Sequence, residues 1–140
     1  MRKLAALLLL LSPPFPLHAE TLRIATFITE LSRDGPGLLL RDIQRGKDPQ
    51  IDAVTAVIAA TDPDVLILQG IDWDYENQAL QALQLHLRQA GVPYPHIFAL
   101  QPNSGMESGL DLDGDGRIGT PRDSQGYGSF TGQDGNAVLS

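Results

Sequence analysis

At 140 residues the chain has room for one domain with a real core, and is short for two. Its 17 acidic and 10 basic residues give a formal charge of −7, which argues against a broad electrostatic grip on nucleic-acid phosphates unless a bound divalent metal reverses the sign locally. There is no cysteine, so disulfides, thiolate metal sites and Cys nucleophiles are excluded.

At the N-terminus Arg2-Lys3 precede an apolar run, Leu4 to Leu11, that is too short to cross a bilayer as a stable helix. Pro13, Pro14 and Pro16 break it, and Ala19 offers a small residue for cleavage before Glu20. Residues 1–19 therefore read as a secretory signal peptide, leaving a mature domain over 20–140 that is secreted or periplasmic and has no stable membrane insertion after cleavage.

Leu22 to Ile28 is β-rich and is expected to form the first mature strand. Gly35-Pro36-Gly37 predicts a loop, followed by a short helix to Gln44 that stops near Gly46. Asp48-Pro49 is a helix start, with Asp as N-cap and Pro at the first helical position. Ile51, Val54, Val57 and Ile58 then share one helical face, and Pro63 ends the segment by disfavouring helical geometry at Asp62. Val65 to Leu68 are four consecutive apolar residues between Pro63 and Gly70, the pattern of a strand covered on both faces. Such a strand delivers Asp72 and Asp74, around Trp73, to the rim of a sheet. There they are metal or catalytic groups, or solvated turn residues.

Glu76 to Ala90 carries Leu80, Leu83 and Leu87 on one helical face and ends at Gly91. His96 to Leu100 is a further candidate strand. Residues 101–135 form a long polar, glycine-rich connection without periodicity, a length that in a compact domain marks a functional or disordered segment. Asn136 to Ser140 begins another apolar strand. A chain that stops inside a strand core is expected to be the truncated part of a longer domain.

One local motif points to a metal. Asp111-Leu112-Asp113-Gly114-Asp115-Gly116-Arg117-Ile118 matches the first half of an EF-hand calcium loop, with alternating carboxylates, a turn glycine and an apolar anchor. The spacing assigns Ca²⁺ to Asp111, Asp113 and Asp115, with the carbonyl of Arg117 and the carboxylate of Asp123 as further ligands. Arg122 stands where the calcium loop has its bidentate Glu, so the other reading is an acidic turn in which Asp and Gly serve backbone geometry alone. No two histidines have metal-ligand spacing, and no serine lies in a nucleophile-elbow context.

The order of motifs resembles the endonuclease/exonuclease/phosphatase family. The resemblance rests on Ala25-Thr26-Phe27-Ile28, on Asp62-Pro63-Asp64-Val65 running to Leu68-Gln69-Gly70, and on Gly135-Asn136-Ala137-Val138-Leu139-Ser140. It implies an α/β fold, the N-terminal half of a four-layered α/β/β/α sandwich with a mixed sheet and flanking helices. It also implies a phosphoesterase that uses Mg²⁺ or Mn²⁺ on a phosphate-ester substrate, nucleic acid included. The departures fall on the chemistry: Ile28 stands at the family's Asn ligand position and Gly70 at its metal-binding Glu. In an extended chain Asp72 and Asp74 would share the face of position 70, and Glu30 that of position 28, so these three are the candidate replacements. The family's catalytic acid/base motifs, Asp-x-Asn and Asp-His, would fall after Ser140. The alternative is a catalytically degenerate, calcium-stabilised extracellular binding module on the same fold.

Overall fold

The structure is a computed structural model that describes residues 21–140; the expected signal peptide lies outside the described residues. Four strands form one mixed sheet in the order β1-β2-β4-β3, with β1 Ile24–Leu31, β2 Val65–Ile71, β3 Ile97–Ala99 and β4 Gly135–Leu139. β1 and β2 are parallel, and β4 runs antiparallel to both β2 and β3. Among the described residues three α-helices flank the sheet: α1 Leu38–Arg45, α2 Pro49–Thr61 and α3 Gln78–Gln89. This is the mixed-sheet α/β architecture with flanking helices that the resemblance implies.

The helices follow local signals. The Asp48 carboxylate accepts hydrogen bonds from the backbone N–H groups of Gln50 and Ile51, so it caps α2 as expected, with Pro49 in the first turn. The far end of α2 is closed by Arg23, whose guanidinium donates to the carbonyls of Thr61 and Asp62 at 2.8 and 2.7 Å. α3 starts two residues later than Glu76, because Glu76 and Asn77 both take left-handed conformations and form a separate short turn.

One sheet face meets the helices. Leu66, Leu68, Ala137 and Leu139 are buried there against Leu39 and Ile43 of α1, Ile51, Val54 and Ile58 of α2, and Leu80, Leu83 and Leu87 of α3. The opposite face carries the alternate residues and is open to water. Ile24, Ile28 and Phe98 are 65%, 67% and 60% exposed, while Val65, Ile67 and Val138 are half-buried beside them. β2 therefore has only one covered face among the described residues, where its apolar run predicted two. Among the described helices none is long and apolar enough to cross a membrane.

Residues 100–134 contain no long element, yet they are fixed at specific points. Bridges join Ser104 to Gly126 and Glu107 to Ser124, and the Trp73 N–H donates to the carbonyl of Gly132 at 2.7 Å. The connection folds back on the rim of the sheet.

Candidate functional site

Parallel β1 and β2 end at the same rim where antiparallel β4 begins, so the chain brings Glu30, Gly70 and Asp134 together there. All three have positive φ, at 51°, 73° and 58°. A Cβ on Gly70 would lie 3.1 Å from Asp134 Oδ1 and 3.2 Å from the Glu30 nitrogen, so both space and backbone conformation select glycine at this position. The ladder slips here as well, between Ile28 and Leu31 and between Gln69 and Ile71. That irregularity overturns the simple alternation by which Asp72 and Asp74 would share the face of position 70.

Asp72 turns inward instead. It is 6% exposed, and its carboxylate accepts from the Ser32 hydroxyl at 2.7 Å, the Arg33 N–H at 2.8 Å and the Asp134 N–H at 3.1 Å. One carboxylate thus ties the end of β2 to the β1–α1 turn and to the start of β4. Arg33 extends the network, reaching Asp42 at 3.2 Å and Asp48 at 2.9 Å, and so joins α1 to the cap of α2. Asp74 is engaged too: both its oxygens face the N–H of Ala79, in the first turn of α3. Glu30 is the exposed carboxylate of the predicted set, and its carbonyl accepts from the Gln50 side chain at 2.8 Å.

Mg²⁺ and Mn²⁺ require oxygen ligands with free lone pairs in near-octahedral array. At this rim Ile28 and Gly70 offer no side-chain oxygen, Asp72 already accepts three hydrogen bonds from the protein and Asp74 faces the Ala79 N–H in α3. Of the three predicted replacements, Glu30 alone is exposed. Ser32, Arg33 and Asp134, which complete the Asp72 network, were not legible as a unit. The Asp134-Gly135 turn ahead of an apolar run was the one local sign of a special conformation.

The second candidate site is assembled more as its spacing predicted. Asp111, Asp113 and Asp115 each place a carboxylate oxygen within 4.8 Å of the others, all on exposed residues. The Asp111 carboxylate accepts from the N–H groups of Gly114, Asp115 and Gly116, which winds the loop around it. Asp115 accepts from the Arg117 N–H at 2.8 Å, and Arg122 approaches Asp113 at 3.8 Å.

Asp123 does not join this cluster. It is 1% exposed and accepts from the Leu112 N–H at 2.8 Å and from the N–H and hydroxyl of Thr120 at 3.0 and 2.8 Å. The Thr120 hydroxyl, followed by the Leu112 N–H, holds its carboxyl below the usual value of 3.8. A carboxylate stabilised in this way supports the loop above its unfolded-state pKa and loses that support as pH falls through the lower folded value. Amide protection at Leu112 and Thr120 should therefore hold from neutral pH down to about 4 and be lost progressively below it. A hydrogen-exchange profile that stays flat as pH falls through that lower range would contradict this role.

Fold and rim together define an α/β domain whose loops gather at the end of a parallel strand pair. The model of the endonuclease/exonuclease/phosphatase family matches residues 42–140, and the chain belongs to that family, whose members are phosphoesterase-type hydrolases. Among curated proteins none matches. A solved structure titled as an endonuclease/exonuclease/phosphatase from Beutenbergia cavernae DSM 12333 is similar at 23% identity, with a TM-score of 0.43. The alignment covers 85% of this chain and 25% of that one, so this chain spans about a quarter of that relative's length.

Proposed function

We propose that this chain serves a phosphoesterase-type hydrolase that acts outside the cytoplasm, uses Mg²⁺ or Mn²⁺, and cleaves a phosphodiester or phosphomonoester, with nucleic acid among the candidate substrates. The family match over residues 42–140 carries this reading. In this reading the chain's own part is the scaffold, a sheet and a rim held by Asp72 and Arg33. The test is hydrolysis of bis(p-nitrophenyl) phosphate and plasmid DNA with each cation. No turnover is expected from the 140-residue chain alone, and cation-dependent turnover is expected when a segment bearing the family's Asp-x-Asn and Asp-His motifs is supplied in the same chain. Inactivity of both would overturn the hydrolase reading.

A second reading is favoured by one observation, the convergence of Asp111, Asp113 and Asp115. In it the chain is a degenerate family member, an extracellular binding module in which Ca²⁺ orders the long connection. Unbound, three carboxylates repel one another, so a cation would relieve the loop more than the core. With Arg122 in place of the bidentate Glu and Asp123 engaged elsewhere, the dissociation constant should be about 10⁻⁴–10⁻³ M. Calorimetry with Asp113→Ala as control decides the matter. No heat and no protection of residues 101–135 from proteolysis at millimolar Ca²⁺ would reduce the motif to an acidic turn.

A further inference from the structure

Asp-Gly bonds occur in the chain at Asp34-Gly35, Asp113-Gly114, Asp115-Gly116 and Asp134-Gly135. Such a bond can close on itself, because glycine puts no Cβ in the way when its nitrogen approaches the preceding side chain. Ring closure needs the Asp–Gly peptide plane to turn until that nitrogen faces the aspartate Cγ. All but one of these planes are held. The N–H groups of Gly114 and Gly116 donate to the Asp111 carboxylate at 2.7 and 2.9 Å. Gly135 is buried at the start of β4, opposite Ile71, and the N–H of Asp134 before it is bound to Asp72 at 3.1 Å. Asp34-Gly35 is the exception. It lies in the bend between β1 and α1, with Asp34 exposed. Among the described residues neither the Asp34 carboxylate nor the Gly35 N–H has a hydrogen-bond partner.

We propose that Asp34-Gly35 is a site of spontaneous backbone rearrangement, at which the folded protein converts aspartate to isoaspartate. The Gly35 nitrogen attacks Cγ of the protonated Asp34 side chain. A new N–Cγ bond forms, the Cγ–OH bond breaks, and the amide proton leaves with the hydroxyl as one water. The resulting succinimide then takes up one water. Opening at the Cγ carbonyl restores aspartate, while opening at the main-chain carbonyl routes the chain through the side chain, as isoaspartate. Mass is unchanged, but the main chain gains one carbon between Arg33 and Gly35. That lengthened link adjoins the clasp on Asp72, to which the Arg33 N–H donates at 2.8 Å. The rearrangement draws on no catalytic group or cation, so it is independent of the hydrolase reading.

The test is ageing of the full chain at physiological temperature and pH, with isoaspartate located by electron-transfer fragmentation of its peptides. Folded protein should accumulate isoaspartate at Asp34 and not at Asp113, Asp115 or Asp134. The same chain aged in urea, where no peptide plane is held, should accumulate it at all of these positions. Gly35→Ala is the chemical control. The added Cβ would meet the Leu38 side chain at 3.5 Å, an ordinary contact, yet it obstructs the attacking nitrogen. Isoaspartate at Asp34 should fall to a small fraction in that variant, with the fold kept. Folded protein without isoaspartate at Asp34, or with as much at the other positions, would overturn the proposal. So would selectivity for Asp34 that persists in urea, or a Gly35→Ala protein that ages at the original rate.

Discussion

Replacing Asp72 with Ala should lower folding stability by about 3–5 kcal/mol. The reason is the number of donors left behind. The Ser32 hydroxyl and the N–H groups of Arg33 and Asp134 all point at one buried acceptor. Bonds to a charged acceptor contribute about 1.5–3 kcal/mol each, and water entering the gap recovers part of the sum. Asp72→Asn keeps the shape but places an NH₂ group against at least one of those donors, so it should cost roughly half as much. Urea unfolding reads both values. The opposite outcome is equally informative: a ligand carboxylate waiting for a cation is destabilising without it, so removal would raise stability. An Asp72→Ala protein more stable than the original would point to a rim built for a metal.

Gly105→Ala should cost about 3 kcal/mol and loosen the long connection before it touches the sheet. Gly105 sits at φ 66°, and an added Cβ would overlap the carbonyl of Phe130, which is backbone and cannot rotate away. The left-handed penalty of about 1–2 kcal/mol adds to the overpacking cost. The two arms of the connection meet at this point, where the Gly105 N–H donates to Gly126 and its carbonyl accepts from the Thr131 hydroxyl. Proteolysis within 101–134 should accelerate at least tenfold, while α2 and β2 keep their amide protection. A variant with wild-type cleavage rates would show that the arms can separate without loss.

Where local signals act alone, sequence and structure agree. Asp48-Pro49 opens α2, Leu80, Leu83 and Leu87 line the buried side of α3, and Val65 to Leu68 form a strand. Agreement fails where backbone conformation depends on a distant partner. β1 runs on to Leu31 through Thr29 and Glu30, where the Thr29 hydroxyl donates to the Gln69 carbonyl and the Gln50 amide donates to the carbonyls of Thr29 and Glu30. Glu76 and Asn77 would suit a first helical turn by propensity, yet both adopt positive φ because Asp74 takes the capping role from further back. The predicted ligand set assumed extended geometry past Gly70, and that glycine turns the chain. Asp123 followed the same logic: its acidity was legible, while its partners Leu112 and Thr120 became visible only once the loop had closed on itself. A carboxylate's type can be read from sequence, but its number of donors is a tertiary property.

The uncovered sheet face bears on how this chain behaves in bulk solution. Ile24, Ile28, Phe98 and Leu100 present a broad apolar surface to water, and the molecule around it carries a formal −7. Short-range attraction between such faces is opposed mainly by long-range repulsion between acidic surfaces. Only the repulsion depends on ionic strength, since the screening length falls from about 30 Å at 0.01 M salt to about 8 Å at 0.15 M. The balance should therefore tip with salt alone, at constant pH and temperature. Light scattering would register this as an osmotic second virial coefficient that is positive in dilute buffer and turns negative near physiological ionic strength. The colloidal stability of this chain is borrowed from its charge.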